Sequence, residues 1–246
     1  MKGIILRMVV IQFFWLTHTS LNAQTSPANI DSNNAAINNA LNIYHAALYP
    51  ETGLYNGREY GDYPYRFNTG QPYFMGDTMM LGSVVYEGIL YNNVAMKFNL
   101  VTNQLIITDP SYVHKLTLSN ERIGSFKLFN NRFVHLDADS DNTIKPGFYD
   151  VIYDGITPVY KKIQKRIDEK TTMMEGIVRT VYESTSYYIK KEGRFYTVNN
   201  KKQVLKLFAG HKKELQQYVR KQKLNIRRDK ERALQLIGVW YDGLKK

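Results

Sequence analysis

The stretch SVVYEGILYNNVAMKF, residues 83–98, decides the fold, because two strand-like runs flank a two-residue turn. The runs Ser83–Tyr86 and Leu90–Phe98 are rich in β-branched and aromatic residues, which favour strands. Glu87-Gly88 lies between them, and glycine adopts positive φ without steric cost. A two-residue turn of this kind has the twist of the strands that it joins. The stretch therefore predicts an antiparallel hairpin.

The same turn signal recurs at Asn56-Gly57, Asp154-Gly155 and Glu192-Gly193. We expect Gly57, Gly88, Gly155 and Gly193 to be structural turn residues. Across residues 53–198 turn signals fall roughly every 8–12 residues, a spacing typical of all-β chains. Short apolar or alternating runs fill the intervals, at residues 83–86, 90–98, 104–107, 112–116, 122–128, 132–136, 148–153, 157–160, 186–189 and 194–198. The sequence predicts an antiparallel β-meander or half-barrel.

Both ends of the chain have helical periodicity instead. Residues 35–49 predict a short helix with one apolar face, formed by Ile37, Leu41, Tyr44 and Leu48. At the C-terminus we expect a helix capped by Asn199 or Asn200 that runs to Phe208 and is closed by Gly210. A helix over Lys212–Lys223 and a last helix capped by Asp229 follow. The last helix has an apolar stripe that predicts core packing, at Ala233, Leu236, Ile237, Trp240 and Leu244.

The fold class is therefore mainly β with helical ends. Residues 35–198 are predicted to form a helix plus an antiparallel β domain. Residues 199–246 are predicted to form a basic segment of two or three helices packed on that domain.

The N-terminus has the layout of a secretory signal peptide. A basic region with Lys2 and Arg7 precedes an apolar run, Met8–Leu16, and a polar stretch that ends near Ala23. The apolar run is shorter than the roughly 20 residues of a membrane span. We expect residues 1–23 to be removed, with an uncleaved anchor as the alternative, and residues 24–34 to form a flexible leader. The sequence thus predicts export, with no transmembrane helix after cleavage.

Charge is divided unevenly along the chain. Residues 24–159 carry 8 lysines and arginines against 13 aspartates and glutamates, a net charge of −5. Residues 160–246 carry 23 against 9, a net charge of +14. Such asymmetry predicts an interaction surface, or two segments that face each other. Export argues against nucleic acid as the partner, which leaves anionic headgroups, acidic glycans, the acidic half of the chain or a solvated lysine face.

A short acidic segment is the sharpest chemical signal. His135, Asp137, Asp139 and Asp141 would share one face of an extended backbone and could bind Ca²⁺ or another divalent ion. The calcium-loop pattern then fails, because Phe148 stands where a bidentate glutamate is expected. The alternative is a polar loop between two strands, since aspartate and asparagine favour turns.

The sequence gives little support for catalysis. The chain has no cysteine, which excludes a disulfide framework, a thiol nucleophile and a cysteine-based zinc site. It has no Gly-x-Ser-x-Gly, no His-Glu-x-x-His and no phosphate-binding glycine loop. A pair of carboxylates for glycoside hydrolysis stays open, because any suitably spaced pair would serve. No catalytic residue can be named, and an enzyme is the less favoured class.

Tyrosine is abundant, with 19 in the chain. These rings suit a half-buried sheet, where a broad apolar surface ends in a polar tip. Exposed rings could instead stack on sugars, and an outer-membrane β-barrel also uses alternating aromatic strands. The helical, lysine-rich C-terminus departs from the terminal strand of such barrels.

Four stretches of the sequence are distinctive: Gly53–Tyr60 and Val85–Tyr91, which share Tyr-x-Gly-x-x-Tyr, Gly147–Gly155, and the ending from Lys213 through Tyr241. These stretches resemble a family of exported Bacteroidota proteins with no assigned activity. The resemblance spans most of the mature chain. It implies a periplasmic or outer-membrane-associated location and supplies no site residues.

The leading prediction is a non-enzymatic exported binding or accessory protein of the cell envelope, whose partner is an envelope protein or an anionic surface. The alternatives are an envelope hydrolase, a glycan-binding protein and an outer-membrane β-barrel.

Overall fold

The structure, a computed structural model, describes residues 53–244 apart from Pro110, Tyr112 and Glu175, together with Ile37 and Ala40. The chain divides into two compact units, Met1–Leu41 and Asn42–Lys246, and every strand and helix below belongs to the second. Ile37 and Ala40 are helical and exposed. The predicted signal peptide (1–23), the leader (24–34) and the rest of the predicted helix over 35–49 lie outside the described residues.

The described strands form one antiparallel sheet of eleven, so the fold class predicted from the turn spacing is confirmed. The strands are β1 (Arg58–Glu59), β2 (Met80–Tyr86), β3 (Ile89–Asn99), β4 (Gln104–Thr108), β5 (Lys115–Thr117), β6 (Ile123–Leu128), β7 (Asn131–Leu136), β8 (Gly147–Tyr153), β9 (Val159–Thr172), β10 (Gly176–Lys191) and β11 (Arg194–Thr197).

The sheet consists of two meanders placed back to back. Its order is β1-β5-β4-β3-β2-β6-β7-β8-β9-β10-β11. The chain runs outward from β2 to β5, returns to set β6 beside β2, and then runs outward in the other direction to β11. The sheet is open, with β1 and β11 at its two edges.

Two of the four predicted turns have the expected geometry. Glu87 and Gly88 join β2 to β3 with φ of 52° and 81°, and Glu192 and Gly193 join β10 to β11 with the same two values. Positive φ at both central residues is what the favoured two-residue hairpin turn requires.

The other two glycines serve close packing instead. Gly57 lies between a 3₁₀ turn and β1, where a Cβ would stand 2.6 Å from the carbonyl oxygen of Thr117. Gly155 lies in the longer connection from β8 to β9, where a Cβ would collide with Tyr153 and Asp242. Neither glycine has positive φ, so the prediction of two-residue turns there is wrong.

The first core lies on the part of the sheet from β2 to β8. Phe98, Phe126 and Phe133 are almost completely buried, and the rings of Phe126 and Phe133 stack with centroids 4.8 Å apart. The sheet curves around this core until β9 reaches the β3–β4 corner, where Lys165 N donates to Leu100 O at 3.1 Å.

Three helices follow the sheet: α1 (Lys201–Leu207), α2 (Lys212–Lys221) and α3 (Lys230–Leu244). Asn200 caps α1 as predicted, and its side chain and that of Gln203 form a reciprocal capping box. Gly210 does not close α1, because Phe208 ends it and Gly210 lies in the 3₁₀ turn that follows.

The helices and the β8–β11 end of the sheet share a second core. Its fully buried members include Val159 and Ile189 of the sheet and Ile237 of α3. The buried face of α3 is turned relative to the predicted stripe. Leu244 is exposed, while the buried residues are Ala233, Leu234, Ile237, Gly238, Tyr241 and Asp242.

The longest strands, β9 and β10, form a hairpin that the run pattern predicted only at its base. Fourteen residue pairs are in register, from Ile189↔Val159 to Gly176↔Thr172. Residues 161–170 are rich in charge, which hides the alternation of faces. At the tip of the hairpin Met173 and Met174 are fully exposed.

Candidate functional sites

A loop at residues 60–79 joins β1 to β2 without a strand or helix of its own. Loops longer than about 12–15 residues without secondary structure are uncommon, and many of those that are ordered are functional. This loop is tied to the sheet on two sides. Phe74 N donates to Phe98 O at 2.8 Å, and Val181 N donates to Thr69 O at 2.8 Å. The loop is thus held between β3 and β10.

Aromatic rings cluster in this loop and line a cleft of about 320 Å³. The ring of Tyr63 lies 5.7 Å from that of Tyr65, 5.1 Å from that of Phe67 and 6.4 Å from that of Tyr73. The first three rings are half-buried. We call this site the aromatic cleft; its polar lining residues are Asp62, Arg66, Gln71 and Asp77.

Lys97 of β3 lies at one side of the aromatic cleft. Its side chain is 3% exposed, and its Nζ lies 2.6 Å from Asp77 Oδ1 and 3.2 Å from Asp62 Oδ1. The same Nζ lies 3.9 Å from the ring centroid of Tyr73. This buried ammonium is therefore matched by two carboxylates and an aromatic face.

Ionisation of the cleft follows from these contacts. Partial burial acts to raise the pKa of Asp62, but hydrogen bonds from Lys115 and Lys97 outweigh it and hold that pKa below its ordinary value. Burial raises the pKa of Tyr73 to about 12, and its hydroxyl lies 2.9 Å from that of Tyr60. At neutral pH the cleft therefore offers an ionised carboxylate at Asp62 and a neutral phenol at Tyr73.

A second cation covers Tyr65. The Arg179 guanidinium carbon lies 3.9 Å from the ring centroid of Tyr65, and Arg179 Nε lies 2.6 Å from Glu169 Oε1. A lysine and an arginine of the chain thus each lie over one face of a ring, Lys97 at Tyr73 and Arg179 at Tyr65.

The charge asymmetry of the sequence maps to one helical segment. Residues 201–232 carry 12 lysines and arginines against 3 aspartates and glutamates. All 12 are exposed except Lys230, which is half-buried. None of them forms an ion pair with a carboxylate in the described part of the chain. We call these residues the basic face.

A pocket of about 610 Å³ opens within the basic face. Lys201, Arg227 and Lys230 supply its charge, while Val219 and Ile226 are among its apolar lining residues. Such a pocket suits an anionic group attached to an apolar body.

The predicted metal residues are not assembled into a ligand set. Within residues 53–244, as far as they are described, no three histidines, aspartates or glutamates are grouped so as to hold a metal ion. Asp139 Oδ1 instead accepts a hydrogen bond from Ile144 N at 2.9 Å, and His135 Nδ1 lies 3.8 Å from Asp137 Oδ1. The segment with Asp141 is a loop between β7 and β8, as the alternative prediction had it.

Two adjacent buried lysines of β9 differ in their surroundings. Lys161 Nζ lies 2.9 Å from Asp150 Oδ2 and 2.8 Å from Glu231 Oε1, which connects the sheet to α3. Lys162 has no carboxylate partner in the described chain; its Nζ lies 3.4 Å from Asn103 Oδ1 and 4.4 Å from the ring centroid of Tyr149.

The sequence predicted the positive charge of the basic face but did not predict the aromatic cleft. A usable signal was present in Tyr63, Tyr65 and Phe67, which alternate around Pro64 in an interval without a strand run. Proline has no backbone N–H donor and is therefore rare in central strands. A segment with several aromatic rings around a proline is better placed in an ordered loop.

Comparisons with protein-family models, with curated proteins and with solved structures found no match. The resemblance to exported Bacteroidota proteins therefore stays a prediction. Among the described helices, none combines the length and the apolar character needed to cross a membrane.

Proposed function

We propose that this chain is an exported, non-enzymatic binding protein of the cell envelope that docks on an anionic surface through the basic face. The observation that carries the proposal is the net charge of +9 over residues 201–232, with 12 cations against 3 acids. The absence of ion pairs between these cations and described carboxylates leaves their charge available to a partner.

The energetics favour a multivalent contact. Each lysine or arginine near an anionic bilayer surface contributes about 1 kcal/mol, and the contribution decays within a Debye length. A few simultaneous contacts therefore give useful affinity at low salt, and binding should weaken strongly as salt is added.

Asp62 of the aromatic cleft suits a binding role better than acid catalysis. A glycoside hydrolase needs one carboxyl group with a raised pKa as its general acid. Asp62 has a lowered pKa because Lys115 and Lys97 donate hydrogen bonds to it. This carboxylate accepts hydrogen bonds well and donates protons poorly.

Co-sedimentation with vesicles tests the proposal. We expect binding to vesicles that contain about 30 mol% of the anionic lipid phosphatidylglycerol. We expect little binding to vesicles of pure phosphatidylcholine. Neutralising Lys201, Arg227 and Arg228 together to glutamine should weaken binding at least about tenfold, since each cation contributes about 1 kcal/mol.

The matched control neutralises three exposed lysines outside the basic face, Lys127, Lys145 and Lys170. Equal losses in the two triple variants would show non-specific attraction and overturn the role of the basic face. Binding to an acidic polysaccharide such as polygalacturonate, with no binding to the anionic vesicles, would keep the basic face and identify a glycan as the surface.

A further inference from the structure

We infer that the aromatic cleft is a binding site for a neutral sugar, a pyranose unit of a glycan. This inference is independent of the proposed role of the basic face, because it uses the loop at residues 60–79 and its contacts with β3 and β10.

The shape and chemistry of the site suit a sugar ring. Its volume of about 320 Å³ lies at the small end of ligand pockets, which start at about 300 Å³. Pyranose rings have apolar C–H faces that stack on aromatic rings, and hydroxyl edges that exchange hydrogen bonds with carboxylates and amides. Tyr63, Tyr65 and Phe67 supply the rings, and Asp62, Asp77 and Gln71 supply the polar groups.

Charge in the cleft argues against an ionic ligand. A cationic ligand would be repelled by two cations that already lie at these rings, Lys97 at 3.9 Å from the Tyr73 centroid and Arg179 at 3.9 Å from that of Tyr65. Tyr65 itself still lines the cleft, so a neutral ligand can reach it. The carboxylates of Asp62 and Asp77, which are 49% and 66% exposed, are balanced by Lys97 and by Arg66 of the lining, so the cleft has no excess positive charge to attract an anion. A neutral polyol meets neither obstacle.

The site is also preorganised. The loop is held by backbone hydrogen bonds to β3 and β10, and Lys165 Nζ donates to Gln71 O at 2.9 Å and to Tyr73 O at 2.8 Å. A site that is already ordered loses less conformational entropy on binding, which matters for a weak ligand such as a sugar.

Isothermal titration calorimetry with neutral oligosaccharides of glucose, mannose, galactose and N-acetylglucosamine tests the inference. We expect saturable binding of at least one, and Tyr65→Leu should weaken it at least about tenfold, as loss of one well-placed contact does. Asp77→Asn, which keeps the size of the side chain, should weaken the same binding. Tyr182→Leu is the matched control, because Tyr182 is an exposed tyrosine on β10 with an arginine 4.9 Å from its ring centroid.

The inference is overturned if none of these oligosaccharides binds at millimolar concentration, or if Tyr182→Leu weakens binding as much as Tyr65→Leu. Preferential binding of choline or of galacturonate would also overturn it, provided that Tyr65→Leu weakens that binding and so places it in the cleft. Thermal melting of each variant separates loss of binding from loss of the fold, and Asp77→Asn provides a second test if Tyr65→Leu does not fold.

Discussion

Lys161 and Lys162 are neighbours on β9, and we expect their replacement by methionine to change stability in opposite directions. Successive residues of a strand point to opposite faces. Lys161 pairs with Asp150 and Glu231, whose hydrogen bonds outweigh the cost of burial and raise its pKa. Lys162 has only burial acting on it, and its pKa falls from 10.5 to about 8.

The magnitude for Lys162 follows from linkage. Between pH 8 and pH 10.5 the unfolded chain holds this proton and the folded chain has lost it. The unfolded state therefore binds more protons there, and the stability of the wild-type protein rises with pH through this window. At pH 7 both states are charged, and the cost of burying the charge is about 3 kcal/mol, at 1.36 kcal/mol for each pKa unit.

Lys162→Met should consequently raise the free energy of unfolding at pH 7 by up to about 3 kcal/mol, and by only about 1.4 kcal/mol at pH 9.5. Lys161→Met should lower it by about 3–5 kcal/mol at pH 7, because Asp150 is then left buried with no cationic partner. Urea denaturation followed by circular dichroism at the two pH values measures each difference. A destabilised Lys162→Met variant at pH 7, or a gain that is the same at pH 9.5, would refute the reasoning.

The remaining predictions concern the turns and caps, and thermal or urea melts measure each. Gly88→Val should destabilise the protein by about 1–3 kcal/mol, because φ is 81° there, whereas Gly88→Asn should cost less since asparagine tolerates that conformation. Gly57→Ala should also destabilise, through contact with Thr117 O, so unchanged melting would count against that close approach. Asn200→Ala should cost about 1 kcal/mol by removing the capping box of α1, and an unchanged melt would show that the cap contributes nothing.

The sequence predicted the structure correctly where that structure depends only on neighbouring residues. The hairpin around Glu87-Gly88 needs only strand propensity and positive φ, and both are readable from adjacent residues. The cap at Asn200 is equally local, since Gln203 three residues later completes the box. The basic face was also accessible, because charge counts require no knowledge of contacts.

The rest depends on partners far away in sequence. Gly57 and Gly155 have the same local signature as the two hairpin glycines, but they lack positive φ and are approached closely by Thr117 and Asp242, respectively. The sequence predicted only the base of the β9–β10 hairpin, because a lysine such as Lys161 is expected at the surface. Its burial depends on Asp150 and Glu231, which pair with it from distant parts of the sequence.

The aromatic cleft shows most clearly why a binding site can escape a reading of the sequence. Its rings and its carboxylates come from one short segment, but the two cations that lie at Tyr73 and Tyr65 come from Lys97 on β3 and Arg179 on β10. Those two cations turn what would be an acidic aromatic cage, suited to a cationic ligand, into a site suited to a neutral one. Removing one of them should therefore change which ligand binds: Arg179→Met should remove the positive charge beside the ring of Tyr65 and give choline measurable binding that the wild-type protein lacks.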